Sequence, residues 1–255
     1  QATVSFTAPA SSGGAAITGY TATAAPGGAT GTGVGSPITV TGLTNGVAYT
    51  FTVTATNTAG TGAASAASNS VTPKAAQTIT FATPGVQNYG TSPNLSTLGG
   101  GASATSGLAV TFTSSTTGVC TITSGGLLTF VTAGTCTINA DQAGDSTYLP
   151  APQVSRSFTV SPIVPDAPTI GTATAGDTQA SVAFTAPANT GGTVITGYTV
   201  TVSPPHVPHV TGPSSPIVVN GLTNGQAYTF TVTADNSAGT GPASGASNSV
   251  TPKAT

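Results

Sequence analysis

Charge is the scarcest property of this chain. Only 3% of its 255 residues are charged, and Lys74, Arg156 and Lys253 are the entire basic set. A nucleic-acid binder gathers several lysines or arginines on one face, because counterion release supplies much of its affinity. Scattered cations exclude that class, so no nucleic-acid partner is expected. Glutamate is absent, and the carboxylates are Asp141, Asp145, Asp166, Asp177 and Asp235. These lie mostly in turns and linkers, too dispersed for the paired acid and base of hydrolytic chemistry. No apolar run approaches the roughly 18 residues of a membrane span, and no basic-then-apolar leader stands at the start, so no membrane insertion is expected. Helical periodicity is also missing, which leaves no helix for a phosphate-cradling glycine loop to open.

Histidine and cysteine are nearly as rare. His206 and His209 share one proline-bound loop, SPPHVPHV, and could share a cation only with further ligands that the neighbouring sequence does not offer. A nucleophile triad needs a histidine beside an activated serine or cysteine, and this loop is an ordinary exposed one. Asp141 and Asp145, in ADQAGD, lack the dense acidic pattern of a calcium loop, and turn formation explains them. No catalytic residue, metal or cofactor is expected. Cys120 and Cys136 lie in strand-like segments, with Leu127 to Val131 between them, and have no metal-site spacing or nearby histidine. A structural disulfide is expected, joining the first and third strands of a small meander. Such a cross-link persists in oxidising compartments, which argues for an extracellular protein.

What the chain has in quantity is threonine and valine placed at alternate positions, a pattern of folded sheet rather than of disorder. It is organised around one stretch. Gly42 to Gly62, GLTNGVAYTFTVTATNTAGTG, reappears from Gly221 to Gly241 as GLTNGQAYTFTVTADNSAGTG. Tyr49, Phe51, Val53 and Ala55 alternate with Thr50, Thr52, Thr54 and Thr56, which puts apolar groups on one face of a strand and hydroxyls on the other. Thr229, Thr231 and Thr233 repeat the row. A flat threonine face could pack on a neighbouring subunit, a carbohydrate or ice; equally, threonine suits a solvated pleat and needs no partner.

Leu43, the turn Thr44-Asn45-Gly46 and Tyr49 resemble the tyrosine corner of fibronectin type III and related immunoglobulin-like sandwiches, as do Leu222 and Tyr228 in the second copy. The resemblance implies that each phenol ties down a loop crossing between sheets. It covers residues 1–73 and 167–255. Phe6 and Phe184 stand where type III domains usually carry a core tryptophan, and the Arg-Gly-Asp tripeptide of some members is absent. Between the copies, residues 76–162 contain the cysteines, AGTCTI, ADQAGDSTY and SFTVSP. They resemble an immunoglobulin-like repeat of large exported bacterial proteins, which typically serves as a spacer or adhesive module. The fold class expected is all-β: tandem immunoglobulin-like and fibronectin type III sandwiches in an extended rod.

In chain order, residues 9–14 read as a turn, 17–24 as a strand, 25–35 as a glycine-rich loop, Ile38 and Val40 as a short strand, and 66–72 as the closing strand. TPKA at 72–75 reads as a short hinge, and SPIVPDAP at 161–168, with its prolines, as a stiff extended joint. QATVSFTAP at Gln1 aligns with QASVAFTAP at Gln179, but APTIGTATAGDT at 167–178 has no counterpart before Gln1. The first sandwich is therefore expected to lack its first strand, and the chain to be a piece of something longer. Val4 and Phe6 mark an edge that could accept a strand.

The function expected is that of a non-enzymatic module of an extracellular bacterial fibre or surface adhesin stalk. Its partners would be other copies of itself or flanking repeats of the same chain, with a glycan or surface ligand as a further class. The alternative is an accessory spacer or carbohydrate-contacting module of a secreted polysaccharide-degrading enzyme.

Overall fold

The computed structural model describes residues 1–98, 101–205 and 207–254. Among the described residues every regular element is a strand. The first repeat supplies β1 (Ala2–Val4), β2 (Gly19–Ala25), β3 (Thr30–Gly33), β4 (Ile38–Val40), β5 (Thr50–Asn57) and β6 (Gly60–Thr61). The central stretch supplies β7 (Ile79–Phe81), β8 (Gln87–Asn88), β9 (Ala102–Ala104), β10 (Thr111–Ser114), β11 (Cys120–Ile122), β12 (Leu128–Phe130), β13 (Gly134–Asp141) and β14 (Val154–Ser161). The second copy of the repeat supplies β15 (Thr169–Ala175), β16 (Gln179–Thr185), β17 (Gly197–Ser203), β18 (Val210–Gly212), β19 (Ile217–Asn220), β20 (Thr229–Asn236) and β21 (Gly239–Thr240). The chain forms two compact units: Gln1–Thr80 with Ser103–Val110 and Asp141–Gln153, and Phe81–Ala102 with Thr111–Ala140 and Val154–Thr255.

In the first unit, β1 and β4 make a two-stranded sheet that faces a second one ordered β3-β2-β5-β6. Alternation decides what is enclosed: Val4, Tyr20, Ala22, Ile38, Val40 and Phe51 are buried. The glycine-rich stretch expected to be loop contains β3 instead. Gly31 permits this, because a Cβ there would lie 2.4 Å from the carbonyl oxygen of Thr39. The segment 72–75 is not a free hinge. Lys74 Nζ donates to the Asp145 carbonyl at 2.6 Å, Ala75 N to Thr147 O at 2.7 Å, and Leu149 N to Ala75 O at 2.8 Å. Gln77, buried in the same unit, donates to Leu149 O at 2.7 Å and to Gln142, and accepts from Ser106.

The second unit holds a sheet ordered β10-β13-β14-β8, the hairpin β11-β12, and a sandwich whose sheets are β15-β16-β19 and β18-β17-β20-β21. Here the core is continuous: Val182, Val200, Val219, Phe230, Val232 and Ala234 are fully enclosed. Cys120 and Cys136 are joined, with Cα atoms 5.7 Å apart. They do not sit on the first and third strands of one meander. Cys120 pairs across β12, opposite Phe130, whereas Cys136 belongs to β13, opposite Phe158. The bond therefore links two sheets.

The closing strand expected at residues 66–72 is not regular. Gly62 N donates to Ala55 O, Ser65 N to Val53 O, Ser68 N to Phe51 O and Val71 N to Tyr49 O, each at 2.8–2.9 Å. Three residues of the closing segment thus advance against two of β5. Ser65 Oγ and Ser68 Oγ accept the amides of Val53 and Phe51 at 3.0 Å, so a hydroxyl supplies the acceptor that an in-register carbonyl would otherwise provide. Gly241, Ser244, Ser247 and Val250 repeat the arrangement against Ala234, Val232, Phe230 and Tyr228.

Candidate functional site

Among the described residues, no group of three or more His, Cys and Asp side chains is placed to hold a metal ion. Asp141, Asp145 and His209 each have a hydrogen-bond partner. Asp145 Oδ1 accepts the amides of Thr147 and Tyr148 at 2.7 and 2.8 Å, as a turn carboxylate does. Asp141 Oδ1 accepts from Gln153 at 2.8 Å. His209 Nδ1 lies 3.0 Å from Thr201 Oγ1, and His206 is outside the described residues. Arg156 turns its Nε onto the Phe81 carbonyl at 2.9 Å. No helix among the described residues is long and apolar enough to cross a membrane.

The tyrosines hold the crossing loops. Tyr49 Oη accepts the Thr44 amide at 3.1 Å, and Tyr228 Oη accepts that of Thr223 at 3.3 Å. Leu222 is buried beside its tyrosine, whereas Leu43 is half-buried. The threonine rows form rungs across each sheet. Thr32, Thr21 and Thr54 make one, Thr30, Thr23 and Thr52 the next, and Thr211, Thr199 and Thr233 align in the second copy. The central threonines of each rung are half-buried by their neighbours. Every tyrosine and phenylalanine is buried or half-buried, so among the described residues no aromatic ring lies exposed as a stacking platform.

A cleft of about 630 Å³ lies on the first sandwich, lined by Phe6, Ile17, Tyr20, Val53, Ala55 and Asn57 among others. Val4 is inside the core, opposite Ile38, while Phe6 lies beyond the end of β1, stacked at a tilt on Tyr20 with centroids 4.8 Å apart. The edge expected at residues 1–7 is thus a three-residue strand, Ala2–Val4, followed by an irregular segment tied through the Phe6 amide to Ser36 Oγ at 2.9 Å. Among the described residues β1 pairs with β4 alone, whereas its counterpart β16 is paired by both β15 and β19. On β5, Val53 and Ala55 are half-buried, while their counterparts Val232 and Ala234 are fully enclosed.

A fibronectin type III domain model matches residues 1–71 and 166–250. The chain belongs to the fibronectin type III family. It is 36% identical over 272 aligned residues to Exoglucanase B of Cellulomonas fimi, a match that takes in 99% of this chain and 24% of that protein. The chain therefore spans about a quarter of the length of the curated relative it matches. Among solved structures, a run of titin domains is similar at a TM-score of 0.37 and 17% identity, over 86% of this chain and 79% of that one. Chicken CNTN1 FN1-FN3 domains are similar at a TM-score of 0.33 and 16% identity, over 93% and 90%.

Proposed function

We infer that this chain is a non-catalytic accessory segment of an extracellular polysaccharide-degrading protein. In this reading, type III sandwiches at 1–73 and 167–255 flank an immunoglobulin-like repeat at 76–162 and hold other domains apart. The observation that carries it is the 36% identity along 99% of the chain to part of an exoglucanase. Spacing is favoured over sugar binding, because a sugar's apolar face stacks on an exposed aromatic ring and none of the described rings is exposed. The buried Cys120–Cys136 bond supports an oxidising, extracellular setting.

A second reading, a self-associating module of a surface adhesin stalk or filament, draws on the threonine rungs and the near absence of charge, which removes repulsion between copies. Peptide mapping of the native polypeptide that carries these residues separates the two. A hydrolase domain in the same polypeptide is expected; a long run of further sandwiches with no such domain would return the protein to the stalk. On crystalline cellulose, the chain alone should neither release sugar nor sediment with the solid.

A further inference from the structure

The joint at residues 161–168 is held from two sides. On the side of the central stretch, β8 runs parallel to the end of β14, pairing Gln87 with Val160 and Asn88 with Ser161. Tyr89 N then donates to Ser161 O at 2.9 Å, which carries the contact to the last residue before Pro162. On the side of the second sandwich, Ile163 N donates to Gly191 O at 3.0 Å, Asn236 Nδ2 donates to Ile163 O at 2.8 Å, and Asp166 N donates to Asn189 O at 3.1 Å. Ser161 is thus bonded to one neighbour and Ile163 to the other, with a single proline between them.

The two neighbours also meet directly, within one compact unit. Ala133 N, between β12 and β13, donates to Gly192 O at 2.7 Å. The half-buried Tyr89 ring lies against Gly192, where a Cβ would stand 2.5 Å from Tyr89 Cγ and 3.0 Å from Tyr89 Cβ. A Cβ on Gly191 would stand 1.9 Å from Ile163 O. Both glycines are buried, with φ of +77° and +83°. Only glycine adopts that backbone at no steric cost, and only glycine leaves room for the ring and the joint.

We propose that Tyr89 and the Gly191-Gly192 turn form a latch, which makes the central stretch and the second sandwich move as one body. Relative motion is the default for domains joined by a linker alone. Here a hinge motion would have to break the bond from Ala133 to Gly192, strip the Tyr89 ring from the turn and pull Ile163 from Gly191 and Asn236 together. The prolines contribute less. They restrict φ at Pro162, Pro165 and Pro168 but fix neither neighbour to the other. Nothing in this inference depends on the proposed spacer role.

The test uses the whole 255-residue chain with nitroxide labels on Thr129→Cys and Val218→Cys, both at exposed positions on either side of the joint. Pulsed electron resonance reads the distance between the labels, and one narrow distribution is expected. Tyr89→Ala keeps the backbone bond to Ser161 and should broaden that distribution. It should also speed hydrogen exchange at the Ala133 and Ile163 amides about tenfold, the loss expected of one contact. The amides of Val200 and Val232, in the sandwich core, should keep their rates. Pro162→Ala should leave the distribution narrow. A broad distribution in the unaltered pair of labelled sites would overturn the proposal, as would Ala133 and Ile163 amides that exchange as fast as unbonded ones. An unchanged distribution for Tyr89→Ala would overturn it too. So would a distribution for Pro162→Ala as broad as that for Tyr89→Ala, which would return the stiffness to the prolines.

Discussion

Single side chains tie several crossings of this protein in place. Tyr49 and Tyr228 reach back five residues to the amides of Thr44 and Thr223. Replacing either by phenylalanine keeps the ring in the core and removes an acceptor, so Tyr49→Phe and Tyr228→Phe should each cost about 1 kcal/mol. Urea-dependent hydrogen exchange at residues 49–55 and 228–234 would measure it. Cys120 and Cys136 are wholly buried and 16 residues apart in sequence. The double Cys→Ser variant should lose about 3 kcal/mol, mainly through a freer unfolded chain. Denaturation followed at Phe130 and Phe158, opposite the two cysteines, reports that loss.

The period-three segment is the least conventional element. Each of its serines closes two backbone needs at once. Ser244 Oγ accepts from Val232 N at 2.9 Å and donates to Gly245 O at 2.8 Å, while Ser244 N bonds Val232 O. Ser65 does the same in the first sandwich, with Val53 and Ala66, but in contact with water. Ser244→Ala strands a buried amide and should cost about 1–3 kcal/mol. For Ser65→Ala water can replace the hydroxyl, and the cost should fall below about 1 kcal/mol. Parallel denaturation of the two variants checks the ordering; equal costs would mean that burial is not what separates the copies.

For the molecule as a whole, two copies of one repeat in different surroundings make an internal control. The first sandwich has a two-stranded sheet and half-buried Val53 and Ala55 where the second copy has a three-stranded sheet and enclosed Val232 and Ala234. Less apolar surface is removed from water, so the first sandwich should open at lower free energy. Hydrogen exchange on the intact chain should find residues 51–55 exchanging faster than 230–234, and calorimetry should show the first sandwich melting first. Simultaneous melting would mean that the difference in burial contributes little.

The amino-acid sequence by itself determined the repeat, the all-β class, the alternation of threonine with core residues and the tyrosines at the sheet crossings. Those features are local, carried by a period of two and by turn residues at fixed spacing. Tertiary structure alone decided the rest. The closing segments carry G-x-x-S-x-x-S-x-x-V from Gly62 and from Gly241, visible in the sequence but matching neither a strand's period nor a helix's. Its sense appears only beside β5 and β20, whose amides the serines meet. β3 depends on Thr39 passing close to Gly31, and the cysteine bond on which sheets β11 and β13 join. The cleft depends on how Phe6, Tyr20 and Asn57, far apart in the chain, come together. Contacts between residues far apart in the chain leave no periodic trace in it, and a surface almost without charge or exposed aromatic rings carries little chemistry from which a ligand could be read.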